Sequence, residues 1–279
     1  MTDFAAPGDV INGLAQAGVT YGCRQFGIKN SLATVAGLYS SLWLAAGWPA
    51  AGAAPTSAAA PTQALAGCWA PNEVDPPSSH TNRLLYDSLI QVTSYGTYML
   101  ADRLGHMGGL SGTVTTAQTV SVVLTTPSAN ARCASNGSDV SWWLEWYTAT
   151  GSSAVTATIT YTNQSGTSGQ TTTVSVPAST PAGRMLPINV LASGDTSIQS
   201  IQSVTLSATT GTSGNFGVTA LKTLDTFYGA YQAAGMGIVH DFAGCGMPQV
   251  GTGACLFFYC LPQSSTSGIL QYELVVGEC

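Results

Sequence analysis

From Leu110 to about Leu224 the apolar residues recur with a period of two, and that alternation commits more than a hundred residues to β structure. In AVTATITYTNQ, Val155, Ala157, Ile159 and Tyr161 point one way while Thr156, Thr158, Thr160 and Thr162 point the other, as successive side chains of a strand must. One face is core; the other is polar without charge. The clusters PSANARCASNGSD, TATGSS, NQSGTSGQ, PASTPAG, ASGDTS and TTGTSGN punctuate the pattern with turn residues. Short strands spaced in this way predict a mainly β protein, a β-sandwich or jelly-roll-like domain.

Upstream the period changes. In TNRLLYDSLIQVTSYGTYMLADRLGHMGG, Leu85, Leu89, Val92, Gly96, Met99 and Arg103 fall at spacings of three and four, with Leu100 and Leu104 flanking. This predicts a helix, capped by Ser78 and Ser79 and ended by Gly108 and Gly109. A shorter amphipathic pattern, Val10, Ile11, Leu14 and Ala17 behind Asp9, predicts another helix near the start. Between them, prolines at 49, 55, 61, 71, 76 and 77 prevent a helix or a central strand, so 48–77 reads as an extended arm.

No charge occurs between Lys29 and Glu73, yet SLATVAGLYSSLWLAAGWPAAGAA is interrupted by Gly, Ser and Pro and is too short to span a bilayer. The acidic start MTDFAAPGD argues against a signal peptide. Two short buried helices, or an arm lying on a neighbour, account for the run. Near the end, GACLFFYCLP and ILQYELVV predict two strands. The chain thus divides into a helical and extended Ala/Pro-rich region (1–80), a helix plus β-sandwich domain (81–225) and a Cys/aromatic-rich extension packing on the rest (226–279).

Charged residues make up only 7% of the chain, with a net charge of −6. A domain normally carries about a quarter, so this exterior is one that partners cover or that tolerates an uncharged polar surface. The basic residues are scattered singly, which removes the electrostatic term that drives nucleic-acid binding. Cysteines at 23, 68, 133, 245, 255, 260 and 279 show no CxxC spacing, and His80, His106 and His240 do not pair at ligand spacing. Neither a metal nor a cofactor is expected. The cysteines crowded near the end form either a disulfide-tied tail or buried free thiols. Asn136 and Asn163 open sequons that would matter only in a secreted eukaryotic protein.

Two clusters carry candidate chemistry. Asp102 and His106, four apart on the expected helix, form a helix-end salt bridge, with Arg103 turned away by about 100°. In SWWLEWY, strand alternation assigns Trp142, Leu144 and Trp146 to the core and Trp143, Glu145 and Tyr147 to the opposite face. That second trio is either a sugar-stacking platform or a surface covered by a neighbouring subunit. No GxSxG nucleophile turn is present, GTSG and GTSGNFG being hairpin turns. A hydrolase would have to use Asp102 and His106, the loop FAGCGMPQVGTGAC after His240, or a carboxylate pair drawn from Asp139, Glu145, Asp195 and Asp241. No catalytic residue is assigned.

RLGHMGGLSGTVTTAQTV, LEWYTATGSSAVTATITYTNQSGTSGQTTTVSVP and SIQSIQSVTLSATTGTSGNFGVTALKTL resemble structural proteins of tailed bacteriophage virions, especially those with a Thr-rich β domain attached to the head shell, neck or tail. The resemblance covers residues 81–225 and brings no functional residues with it. It implies a virion structural protein assembled in the host cytoplasm, as a capsid decoration or cement subunit. Its partners would be the major capsid protein or other virion proteins and further copies of itself, without nucleic acid or membrane. The alternatives are a tail, neck or spike protein that binds host-surface glycan through Trp143 and Tyr147, and a hydrolase.

Overall fold

In a computed structural model, the protein is described over residues 22–30, 34–70, 82–92, 95–124, 132–229, 237–265 and 268–278. The first strands are β1 (Gly22–Asn30), β2 (Ser40–Ser41), β3 (Gly47–Trp48), β4 (Asn82–Val92) and β5 (Gly96–Leu110). Then follow β6 (Gln118–Val123), β7 (Ser141–Thr148), β8 (Val155–Asn163), β9 (Gln170–Val176) and β10 (Met185–Pro187). The last are β11 (Ile198–Leu206), β12 (Asn215–Gly229), β13 (Ile238–His240), β14 (Leu256–Pro262) and β15 (Ile269–Glu278). No α-helix occurs among the described residues, and none there is long and apolar enough to cross a membrane. The helix expected around Val10 to Ala17, and the caps Ser78 and Ser79, lie outside the described residues.

A six-stranded sheet, in the order β10-β7-β12-β5-β14-β2, forms the centre. Its spine is the antiparallel pair β5 and β12, each 15 residues long, or about 50 Å at the rise of a strand. That length lets one sheet serve two partners. Leu104, Trp142, Leu144, Trp146 and Phe216 pack against Val122, Ile159, Tyr161 and Val204 of the four-stranded sheet β6-β11-β8-β9, which makes a β-sandwich. Further along, Leu100, Phe227 and Phe258 pack against Leu84, Tyr272 and Leu274 of the five-stranded sheet β13-β4-β15-β1-β3. Each fully buried apolar side chain of this size contributes roughly 1.5–3 kcal/mol. The alternation expected in β8 is present: Val155, Ala157, Ile159 and Tyr161 are buried.

The helix expected over 81–109 is instead two long strands, β4 and β5. β5 is buried on both faces over most of its length, and such a strand reads as a near-continuous apolar run, in which spacings of three and four arise by accident. Gly108 does not end a helix either. A Cβ there would stand 2.2 Å from the Pro55 carbonyl oxygen, so the glycine is the point where the arm presses onto the strand. β12 runs through residue 225, and β15 pairs with both β1 and β4, so the N- and C-terminal regions share a sheet.

The second correction concerns the run 31–54, expected to form two short buried helices or an arm lying on a neighbour; its described part, from 34, and the extended stretch to 70 contain no helix. They cover their own molecule. Trp43 and Cys68 close over Met99, Ala101, Trp143, Tyr147, Leu221 and Phe257 on the free face of the central sheet. Ala59 exchanges both backbone hydrogen bonds with His106 at 3.0 Å, and the Trp43 indole N–H donates to the Ala53 carbonyl at 2.8 Å. The run free of charge between Lys29 and Glu73 is thus apolar because it is the lid of a core.

Candidate functional site

Both clusters singled out in the sequence meet beneath this lid, and the residue that joins them is Arg103. β5 and β7 flank β12 on either side, so inward-facing side chains of the three strands converge. The Arg103 guanidinium donates to Glu145 Oε2 at 2.6 Å, to the Tyr147 hydroxyl at 3.0 Å and to Thr219 Oγ1 at 3.1 Å. Its Nε donates to His106 Nδ1 at 2.9 Å. Tyr147 and Thr219 each donate their hydroxyl hydrogen to Glu145. Arg103 also lies 4.5 Å from the Trp43 ring centroid and 5.4 Å from that of Phe257, a cation–π setting.

Alongside, Asp102 is held by Arg132, whose Nε donates at 2.7 Å and whose terminal nitrogen makes a second, shorter contact. Arg132 also donates to the carbonyls of Pro61 and Arg103, while the Cys255 N–H donates to Asp102. One guanidinium thereby ties the arm, β5 and the loop after β6 together. This bidentate arrangement is the geometry for which arginine is suited.

These contacts correct both sequence expectations. Asp102 and His106 are not a helix-end salt bridge: they sit four apart on a strand, where that separation spans about 13 Å, and each bonds a different arginine. Trp143, Glu145 and Tyr147 form no exposed platform, being 6%, 0% and 4% exposed. They occupy the face opposite Trp142, Leu144 and Trp146, as alternation requires, but residues of the same chain cover it. The carboxylates considered as a hydrolytic pair are dispersed as well. Asp139 bonds Lys222 and the Ala134 N–H, Asp195 accepts from Tyr161 and Asn163, and Asp241 accepts from the backbone of Ala243 and Gly244.

The electrostatics are those of a closed network. Burial alone would raise the Glu145 carboxyl, but the adjacent Arg103 guanidinium outweighs it and holds the group below the usual carboxylate range. Burial, reinforced by Arg103, pushes His106 down to about 3, which keeps the imidazole neutral and able to accept from Arg103. Burial and the Glu145 charge raise Tyr147. The network ties β5, β7 and β12 together beneath the lid, which Arg103 meets through the Trp43 ring, and it leaves Arg103 Nη1 and Glu145 Oε1 without a partner.

Among the described residues, Cys68, Cys133, Cys245, Cys255 and Cys260 are free thiols. Asp87, Asp225 and His240 bring three ligand atoms within 4.8 Å of one another. Sequence spacing gave no sign of this cluster, because its members lie on three separated strands.

No family model matches the chain, and no curated protein matches it. Among solved structures, the chain is similar to the VP2 subviral particle of infectious bursal disease virus, at 10% identity over 93% of this chain and 81% of that one, with a TM-score of 0.20. The Gx strain of that virus gives 10% identity over 92% and 82%, also at 0.20. A mutant VP2 protein in its derived T=1 particles gives 11% identity over 99% and 84%, again at 0.20. These come from a virus other than a tailed bacteriophage, and scores of this size carry neither a fold assignment nor a function.

Proposed function

We propose that the protein is a structural subunit of a virus particle whose activity is assembly rather than catalysis, and that it acts as a decoration or cement component bound to the head shell. The observation that carries this is where its few charges lie. Of the seven basic residues, Lys29, Arg103, Arg132 and Arg184 are buried. Arg24 pairs with Glu273 and Lys222 with Asp139. Asp87, Asp102, Glu145 and Glu273 are buried too. Arg83 donates to the Met247 carbonyl, so among the described residues few charges are left on an exterior rich in Thr, Ser and Gly.

Such a surface can be covered by another subunit without the desolvation cost of stripping water from ions, which is several kcal/mol for each one left unpaired. Exposed apolar side chains add to this. Phe26 and Trp48, at 56% and 68% exposed, line one groove beside the edge strand β3, and aromatic residues are enriched at interface cores. Because residues 34–70 cover their own sheet, binding runs through these outward faces and edges rather than through that arm.

The test is quantitative mass spectrometry of particles purified from the culture that produces the chain. A subunit of the shell co-purifies through a density gradient in fixed ratio to the main shell protein. A chain that stays in the soluble fraction refutes the proposal.

A further inference from the structure

The three residues gathered from separate strands, Asp87, Asp225 and His240, stand apart from the lid network and from the outward faces just described. β13 is the edge of the five-stranded sheet and pairs with β4 so that His240 lies directly opposite Asp87. Asp225 belongs to β12 of the central sheet. The cluster therefore sits at the junction of two sheets. His240 Nδ1 is 2.6 Å from Asp225 Oδ2 and 3.8 Å from Asp87 Oδ1, and its ring stacks on Phe227 with centroids 4.8 Å apart. The ring is held with one nitrogen aimed at both carboxylates.

Asp87 is the unusual member. Its side chain is 0% exposed, and neither carboxylate oxygen has a hydrogen-bond partner. A buried polar atom without a partner costs about 1–3 kcal/mol, more when charged, and such groups are rare. Asp102 and Glu145, the comparable buried acids, each have an arginine. Among the described residues no lysine or arginine contacts Asp87, and the neighbours facing it are Asp225, His240 and the Cys245 thiol. One carboxylate and one imidazole face this enclosed acid, and no guanidinium of the kind that neutralises Asp102 and Glu145 stands beside it.

We propose that Asp87, Asp225 and His240 bind one divalent transition-metal ion, of the zinc or manganese class, which pins the edge strand β13 and the five-stranded sheet to the central sheet. The donors suit such an ion: imidazole favours zinc and its neighbours, and carboxylates favour manganese and zinc. Ligand atoms about 2.1 Å from a tetrahedral ion lie about 3.4 Å apart. The separations of 2.6 and 3.8 Å bracket that value, so shifts of under about 1 Å seat the ion. Three protein donors leave a further position for water. The ion satisfies Asp87 and joins two sheets by bridging two carboxylates that otherwise repel.

The experiment uses the full chain, stripped with EDTA and titrated with zinc chloride and, separately, manganese chloride. Binding is followed by calorimetry and by metal analysis after gel filtration, for the wild type and for Asp225→Asn and His240→Gln. Both variants alter partly exposed residues, and the circular dichroism and melting of their metal-free forms show that they fold. The expected result is one equivalent per chain in the wild type, a melting temperature that rises with free metal, and at least a tenfold loss of affinity in each folded variant. Thiols also bind zinc, so manganese and the variants identify the site. Absence of stoichiometric binding of either ion overturns the proposal, as does binding that both variants leave unchanged.

Discussion

Removing the Glu145 carboxylate should leave the Arg103 charge buried and unopposed. Both side chains are enclosed, at 0% and 1% exposure for Arg103 and Glu145. Breaking a buried pair by deleting one partner costs about 3–5 kcal/mol, because the surviving charge has no water to turn to. Against a total stability of about 5–15 kcal/mol, Glu145→Gln or Arg103→Met alone therefore brings the protein close to unfolding. In Glu145→Gln, the hydroxyls of Tyr147 and Thr219 also lose their charged acceptor. The double variant Arg103→Met with Glu145→Gln removes both ions, so it should cost no more than the worse single variant. The coupling energy of the cycle is then about 3 kcal/mol or more. Equilibrium urea unfolding measures it: with a slope of about 1–3 kcal/mol per molar, each single variant should shift the midpoint down by about 1 M or more. A single variant costing under about 1 kcal/mol, or a double variant equal to the sum of the singles, would refute the claim that the two residues act as one buried ion pair between β5 and β7.

Other consequences are accessible to simpler assays. His106 is depressed in the folded state to about 3 from an ordinary value of 6.5, so the unfolded chain binds the extra proton between those values. Stability should be full above about pH 6.5 and fall as the pH is lowered toward 3. Melting curves across that window should show the loss, and His106→Asn should flatten it. Gly108→Val should collide with the Pro55 carbonyl, cost about 1–3 kcal/mol as overpacking does, and expose residues 34–70 to limited proteolysis at wild-type-resistant sites. Burial raises the Cys245 thiol to about 11 and the Cys260 thiol to about 12, so both should react with a disulfide reagent only after denaturant is added, as peptide mapping of the labelled protein would show.

The parts of the fold that face water on one side were legible in the sequence. β8 alternates because threonines stand outside and Val155, Ala157, Ile159 and Tyr161 inside, and the period survives intact. β5 hid its nature because the lid covers one face and the flanking sheets cover the other, leaving no polar side to mark the register. The same lid explains why Trp143, Glu145 and Tyr147 looked like a recognition surface: alternation gives the face of a residue, not what covers it. The charged cluster misled for another reason. Buried charges are rare enough that an exposed helix end is the ordinary inference, and the true partners, Arg132 for Asp102 and Glu145 for Arg103, lie 30 and 42 residues away. Only pairing of distant strands brings them together.

The central claim, that the chain is an assembled component of a virus particle, is tested most directly by its copy number in gradient-purified particles, counted against the main shell protein by isotope-labelled peptide standards. Closed shells repeat their subunits by symmetry, so a decoration subunit should appear in a fixed ratio to the shell protein in every preparation. A trace amount that varies between preparations, or washes away while the particles stay intact, would contradict the account.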